Sequence, residues 1–297
     1  MDVAIIFVLY NPSESDLLNV MHFSALYDGV IVDNSPSAHF FADAGTGVPA
    51  RMVNRMGYLA LGGNAGIAGA QNRGIEWLIE REERREKRGE GGRPEYIVFM
   101  DQDSRFSDDY PQRIACEHVA VSEGGIRLSA IGPTVVQKET GEAYKSAIHK
   151  EKVVNEHFVL KKHIISSGCC VHRSAFKSIG LLEVGLFIDF VDDEWCWRGN
   201  AKGFVCGITP QLTIAHKVGV REVHIGKHIV SISKPQRYYY QYRNYLWLVR
   251  RKYVPRQWKM AYGVKFAARF VYFPLFIKGG GKCWKHMARG IRDGLRK

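Results

Sequence analysis

The first third of the chain alternates unbroken apolar runs with short polar turns. "VAIIFVLY" (3–10) is a continuous, largely β-branched run. That is the pattern of a parallel strand covered on both faces, not of a half-exposed one. It stops at Asn11-Pro12-Ser13, a turn and N-cap that predict a helix through Leu17, Leu18 and Met21. "DGVIVDNS" (28–35) predicts a second strand ending in Asp33-Asn34-Ser35. Residues 56–88 read as a short strand, a glycine-rich turn and a helix whose apolar stripe is Ile67, Ala70, Gly74 and Leu78. That helix is expected to fray into a solvated charged end and loop, "REERREKRGEGGRPE". "YIVFM" (96–100) then predicts the central strand. Strand–helix–strand–helix–strand is the doubly wound α/β pattern, whose ligands sit beyond the carboxyl ends of the strands. Asn11, Asp33, Asn64 and Asp101 all fall at such ends and are expected to converge on one crevice.

The text after residue 104 is more mixed, with apolar segments at 129–136, 163–176, 185–204 and 212–219, and from about Ser231 the chain reads as helical, aromatic and basic. Composition alone says little: 297 residues, 46% hydrophobic and 24% charged, suit one large domain or a domain with an appendage. Charge placement says more. Residues 221–297 carry 19 Lys and Arg against 2 acids, whereas residues 1–220 carry 23 against 28, so the net +12 belongs entirely to the last quarter. Such a tail suits nucleic acid, an anionic membrane surface or an anionic substrate. The six cysteines form no CxxC pair and read as buried small hydrophobes of a reducing compartment. No basic leader or cleavage site precedes the first strand, and "FVYFPLFI" (270–277) is too short to span a bilayer, so a cytosolic chain is expected.

Three stretches carry candidate chemistry. Asp101-Gln102-Asp103 puts two carboxylates one residue apart at the end of a buried strand, where they can offer oxygens to a hard divalent cation. Burying them without a positive partner is costly, although aspartate is also common in turns for its own hydrogen bonds. In "NAGIAGAQNRG" (64–74) the small residues allow close backbone approach to a ligand or to a neighbouring strand. The helix N-terminus that follows suits an anion. "FIDFVDDEWCWR" (187–198) places four acids in six residues among bulky aromatics. A helix from about Asp189 would align Asp189, Asp192 or Asp193, and Cys196, and a partly buried carboxylate there is a candidate general base. His216 ends another apolar strand and matters only if the fold brings it to the aspartates.

Taken in order, "YNPS", "VDNS", "NAGIAGAQNRG", "FMDQDS", "SSGCCVHRSAF", "FIDFVDDEWCWR", "AHKVG" and "YYQYRN" resemble the family 2 glycosyltransferases of GT-A fold, most nearly their bacterial rhamnosyltransferase branch. The resemblance covers residues 1 to about 245. It implies a GT-A type α/β fold, a Rossmann-like doubly wound mixed sheet with a C-terminal helical, basic-aromatic extension. Residues 1–230 would form the catalytic domain, with a nucleotide-binding half at 1–104 and an acceptor half at 105–230, and residues 231–297 the extension. It also implies a nucleotide-sugar donor, a divalent Mg²⁺ or Mn²⁺ and inversion at the anomeric carbon. By that likeness Asp33 would contact the base, with Tyr10 and Asn11 lining its pocket. Asn64, Gly66, Asn72, Asp101, Gln102 and Arg243 would lie near the nucleotide or donor. Asp103, with Asp101 and His216, would hold the metal. Asp192 would be the catalytic base, with Glu194 and Asp189 as alternatives. Val191 stands where the family commonly has glutamate, a departure shared by rhamnosyltransferase-like sequences. The implied donor is dTDP-L-rhamnose and the implied acceptor a cell-envelope glycan of the lipopolysaccharide core or O-antigen type.

The tail interleaves aromatics with cations, as in "PQRYYYQYRNYLWLVRRKYVPRQWKM". Its expected role is peripheral attachment to the cytoplasmic face of an inner membrane. The competing expectation is a helical appendage that packs its aromatics on the catalytic domain. A nucleic-acid-binding protein would share the basic-aromatic text but leaves the clustered acids unexplained, since they would repel phosphates. A nucleotidyltransferase would need a glycine-rich loop with a cation after the first strand, and "LYNPSESD" has neither.

Overall fold

In a computed structural model of the chain, residues 2–40, 51–89, 94–137, 152–216, 221–225 and 228–296 are described. The doubly wound half is built as the pattern predicts. Strand β1 (Val3–Leu9) runs into helix α1 (Glu14–Leu26), then β2 (Asp28–Asp33), β3 (Arg51–Val53), β4 (Met56–Ala60), α2 (Gly66–Lys87) and β5 (Tyr96–Asp101). Ser13 caps α1 with a reciprocal capping box to Asp16. The buried face of α1 is Val20 and Phe23, while Leu18 and Met21 are exposed. Strands β4, β2, β1 and β5 lie side by side and parallel, which brings the carboxyl ends of β1, β2 and β5 together. The expected fraying of α2 does not occur: the helix continues through the charged residues to Lys87, with Arg84 and Glu80 within 3.7 Å on its surface.

The second half follows with α3 (Tyr110–Glu123), β6 (Leu128–Gln137), β7 (Lys152–Asn155), β8 (Phe158–Lys161), β9 (Cys170–His172), α4 (Ser174–Ile179), α5 (Val191–Ala201) and β10 (Val205–His216). Strand β9 inserts antiparallel between β5 and β6, so among the described residues a ten-stranded sheet runs β3-β4-β2-β1-β5-β9-β6-β10-β8-β7 and is mixed. A hairpin, β11 (Arg221–Ile225) and β12 (His228–Ile232), leads into α6 (Pro235–Val249), α7 (Arg256–Phe276) and α8 (Gly280–Leu295).

Apolar layers cover both faces of the sheet. One joins α1 and α3 to it through Phe23, Ile31, Val98 and Ile114. The other joins α2, α4 and α5 to it and also takes in Leu248, Val254 and Trp258. The junction of α6 and α7 is therefore part of the main core. Tyr238, Tyr242, Phe266 and Phe273 pack among α6, α7 and α8. All six cysteines are free thiols, five of them buried.

Candidate functional site

Two hollows open at the carboxyl ends of the parallel strands. The first, about 430 Å³, is lined by Tyr10, Asn34, Asn64, Gly66, Asp101, Gln102 and Asp103, with Phe187 and Ile188 opposite. The second, about 630 Å³, is lined by His163, Ser166, Asp189, Asp192, Asp193, Arg237 and Tyr262. Ile67, Asp101 and Ile188 border both, so the two form one cleft with Asp101 at the join.

Turn chemistry builds the first hollow. Asn34, buried behind β2, accepts the Ala65 N–H at 2.7 Å and donates to the Asn64 side chain at 3.1 Å. The Asn64 carbonyl in turn accepts the Gly66 N–H at 2.9 Å. Gly66 has φ +76, and a Cβ there would lie 2.4 Å from the Phe187 carbonyl oxygen, so only glycine fits. That oxygen accepts the Ile67 N–H at 2.8 Å, tying the start of α2 to the acidic segment across the cleft. Opposite, Gln102 accepts the Tyr10 N–H at 2.7 Å and fixes the floor between β1 and β5. Asp103 is exposed at the mouth of the hollow.

The second hollow is walled by a strained loop. Phe187, Asp189 and Phe190 all have φ near +65, a region that non-glycine residues avoid and occupy only when their surroundings enforce it. The enforcement comes from α6. Asn244, fully buried, donates to the carbonyls of Leu186 and Ile188 at 2.8 Å each and of Asp189 at 3.1 Å. Arg243 donates to Gly185 O at 2.6 Å and to the Asn244 side chain, while Arg237 grips the Asp189 carboxylate at 2.9 Å. Helix α5 therefore starts at Val191, two residues later than the pattern suggested, with Asp192 and Asp193 in its first turn.

Asp192 is the chemically distinctive group. It accepts the Ser166 N–H at 3.1 Å. Burial, the neighbouring Asp193 charge and the Asp101 charge push its carboxyl up to about 7. An apolar hollow of about 30 Å³, lined by Phe99, Cys169, Trp195 and Cys196, adjoins it. Asp193 is also raised by burial, offset by His163 at 3.5 Å. Tyr262 enters from α7, with its hydroxyl held up at about 12 by burial and by Asp193. A carboxylate that titrates near neutrality inside a cleft is suited to proton transfer.

Several expected site residues lie elsewhere. Glu194 is fully buried behind α5, accepting Arg198 at 2.9 Å, Arg251 at 3.1 Å and the Tyr253 hydroxyl at 2.6 Å; it is structural and outside the cleft. Two residues along a helix is a rotation of about 200°, which turns Glu194 away from Asp192. Asn72 is buried, exchanging hydrogen bonds with the Leu182 backbone at 2.9 and 3.0 Å, and does not line the cleft. Arg243 stacks beside Trp247 at 4.3 Å and supports the loop from behind, lining neither hollow. Asp33 is fully buried, its carboxylate accepting from Ser35 N–H, His39 N–H and the Tyr58 hydroxyl. It shapes residues 34–39 and here offers no face to a base. Asn11, at φ +47, donates its N–H to Ser35 and stands just outside the first hollow. Asp189 does line the second hollow, but its carboxylate is committed to Arg237. His216 ends β10, and its side chain lies outside the described residues. Asn34, His163, Arg237 and Tyr262 were not singled out as site residues from the sequence, although Asn34 sits within "VDNS", His163 opens the 163–176 segment and Arg237 lies in the basic-aromatic text.

No protein-family model matches the chain. Its structure matches that of S. aureus TarS 1–349 in complex with UDP-GlcNAc over 100% of this chain and 81% of that one, at TM-score 0.54 and 12% identity. This is the GT-A glycosyltransferase fold. GalNAc-T7, solved with UDP, GalNAc and Mn²⁺, shares it at TM-score 0.50 and 11% identity, over 73% of this chain and 44% of that one. By sequence the chain is 30% identical over 215 residues to the dTDP-rhamnosyl transferase RfbF of Shigella flexneri. The match takes in 68% of this chain and 66% of that relative, so slightly under two thirds of the relative's length is represented. Within the GT-A frame the expected mixed sheet and C-terminal helices are both present.

The metal expected at Asp101 and Asp103 can be tested against the donor set. Among the described residues no three His, Cys, Asp or Glu side chains converge on a point. Two hard carboxylates at the mouth of a nucleotide-sized hollow nonetheless fit Mg²⁺ or Mn²⁺. Such ions are commonly held by one or two carboxylates, with water and ligand phosphates filling the other positions.

Proposed function

We propose that the protein is an inverting glycosyltransferase that moves L-rhamnose from dTDP-L-rhamnose to a hydroxyl of a cell-envelope glycan. The observation that carries the reading is Asp192, a carboxyl near neutral pKa beside the join of two hollows. Its likeness to a dTDP-rhamnosyl transferase supports the donor, and the UDP-GlcNAc complex of a protein of the same fold supports a nucleotide sugar in the first hollow. Residues 1–104 then supply the nucleotide half and residues 105–230 the acceptor half. Residues 231–297 complete the acceptor wall through Arg237, Asn244 and Tyr262.

In this mechanism Tyr10, Asn64, Gly66 and Gln102 seat the donor. Asp101 and Asp103, with His216 as a further candidate, would hold the divalent ion, which when bound offsets charge on the diphosphate. The acceptor enters the second hollow. Asp192 removes the proton from its hydroxyl as that oxygen bonds to the anomeric carbon, and the bond from that carbon to the diphosphate oxygen breaks. The nucleoside diphosphate carries away the electron pair, Asp192 keeps the proton, and a β-linked donor yields an α-L-rhamnoside. Tyr262 and Arg237 are placed to orient the acceptor.

The test is a panel of dTDP- and UDP-sugars with Mn²⁺, read by thermal shift and by nucleoside diphosphate release. Stabilisation and turnover with dTDP-L-rhamnose are expected. Stabilisation by a different nucleotide sugar alone reassigns the donor, and none by any nucleotide sugar refutes the reading.

A further inference from the structure

From Met260 to Leu275 the outer face of α7 is apolar and, among the described residues, uncovered. Met260, Val264, Val271 and Leu275 are between 63 and 73% exposed, and Ala267 and Ala268 between them are exposed too. At 100° per residue the four larger side chains fall within a sector of about 60°, and the stripe runs roughly 22 Å. The opposite face is spent: Trp258, Phe266 and Phe273 are buried in the protein, and Tyr262 lines the cleft. Isolated exposed apolar residues need no explanation, but a continuous stripe does.

Its surroundings are cationic. Exposed Arg256 stands at one end, exposed Lys278, Lys282 and Lys285 follow the other, and exposed Lys265 flanks the middle. Residues 223–292 contain no Asp or Glu at all. We infer that the α7 stripe seats the protein in the plane of an anionic lipid bilayer, its aliphatic side chains in the acyl boundary and the cations against lipid phosphates. The charge pattern selects this occupant. A second copy packing by two-fold symmetry would set one acid-free rim against another. A nucleic acid would leave the aliphatic stripe without a partner. Among the described residues no helix is long and apolar enough to cross a membrane, which fits a helix lying in the surface.

The contact residues differ from those the basic-aromatic text suggests. Most of the interleaved aromatics are buried or half-buried, Phe276 and Trp284 being exposed, and the stripe itself is made by Met260, Val264, Val271 and Leu275. The same helix presents Tyr262 to the cleft, so an acceptor anchored in the bilayer would reach the second hollow along α7. The inference stands apart from the sugar-transfer reading, because vesicle binding needs no donor.

The experiment is co-sedimentation of the full chain with vesicles of phosphatidylglycerol and phosphatidylcholine in equal parts, beside vesicles of phosphatidylcholine alone. Binding to the anionic vesicles that weakens with salt is expected, with little binding to the neutral ones. Val264→Glu with Val271→Glu should lower the partition about tenfold or more, whereas Val264→Leu with Val271→Leu should keep it. Unchanged thermal midpoints in both pairs show that folding is intact. Wild type that stays in the supernatant overturns the inference, as does a glutamate pair that binds as well as wild type. A dimer in light scattering that the glutamate pair breaks would give the stripe to a second copy instead.

Discussion

Replacing Asp192 by asparagine removes a charge that the fold holds unfavourably, so the variant should be more stable than wild type while losing transfer. The sign follows from the direction of the shift. In the folded protein the carboxyl is raised from the usual 3.8 to about 7. Below about pH 4 both folded and unfolded chains carry the proton, and the preference of the folded state for the neutral form is fully present. As pH rises from about 4 to about 7 the unfolded chain ionises first, and that contribution is progressively lost. Above pH 7 wild type bears the full difference, whose ceiling is about 4 kcal/mol at 1.36 kcal/mol per pKa unit. Solvent in the open cleft and sharing of the titration with Asp193 bring the realistic figure to about 2 kcal/mol. Asp192→Asn does not titrate, so its advantage should grow from near zero at pH 4 to about 2 kcal/mol at pH 8, roughly 3 °C in melting midpoint for a chain of this size. Thermal or urea melts at the two pH values, with nucleoside diphosphate release measured in parallel, check both halves. A variant whose stability relative to wild type is the same at pH 4 and pH 8 would refute the desolvation argument.

The kcat/KM profile should rise with pH through about 7 as Asp192 loses its proton, and Asp193→Asn should move that limb to lower pH by removing a like charge; an unmoved limb would point to another base. Asp103→Asn should abolish the extra thermal stabilisation that Mn²⁺ gives in the presence of dTDP, while dTDP without metal shifts variant and wild type alike. Asn244→Ala should cost about 2–3 kcal/mol, since three carbonyls lose their donor. It should also speed hydrogen exchange across residues 186–190 and lower kcat, and unchanged exchange there would remove Asn244 from its supporting role. Glu194→Ala should cost about 3–5 kcal/mol by stranding Arg198 and Arg251, yet leave kcat of the folded fraction near wild type.

The strand ends were readable because buried parallel strands announce themselves as unbroken apolar runs. β1, β2 and β5 deliver Tyr10, Asn34 and Asp101 to one edge as that pattern requires. The glycine-rich turn was readable because only glycine fits at residue 66. The acidic segment was legible as chemistry and illegible as geometry. Nothing local marks Phe187, Asp189 and Phe190 as left-handed, for their conformation is imposed by Asn244 and Arg243 from far along the chain. Once α5 is known to begin at Val191, helical periodicity alone separates Asp192 from Glu194. Asn72 failed for a similar reason: it lies two turns into α2, where side chains meet the Leu182 backbone instead of the cleft. The tail's cations were plain from charge counts, but which of its apolar residues would be exposed depended on how α6, α7 and α8 pack.

The staple from Asn244 to the carbonyls of residues 186–189 has a consequence for the order in which the protein matures. Synthesis runs from the N-terminus, and early segments leave the ribosome able to fold while later ones are still being made. The nucleotide hollow is drawn mostly from the first 104 residues and could form early, but the loop that walls the reaction side acquires its shape only when α6 emerges. If the proposed function holds, a nascent or prematurely terminated chain would bind donor without a finished catalytic wall. On the proposed function, late arrival of α6 would act as a safety catch, withholding turnover of an activated sugar until nearly the whole polypeptide is present.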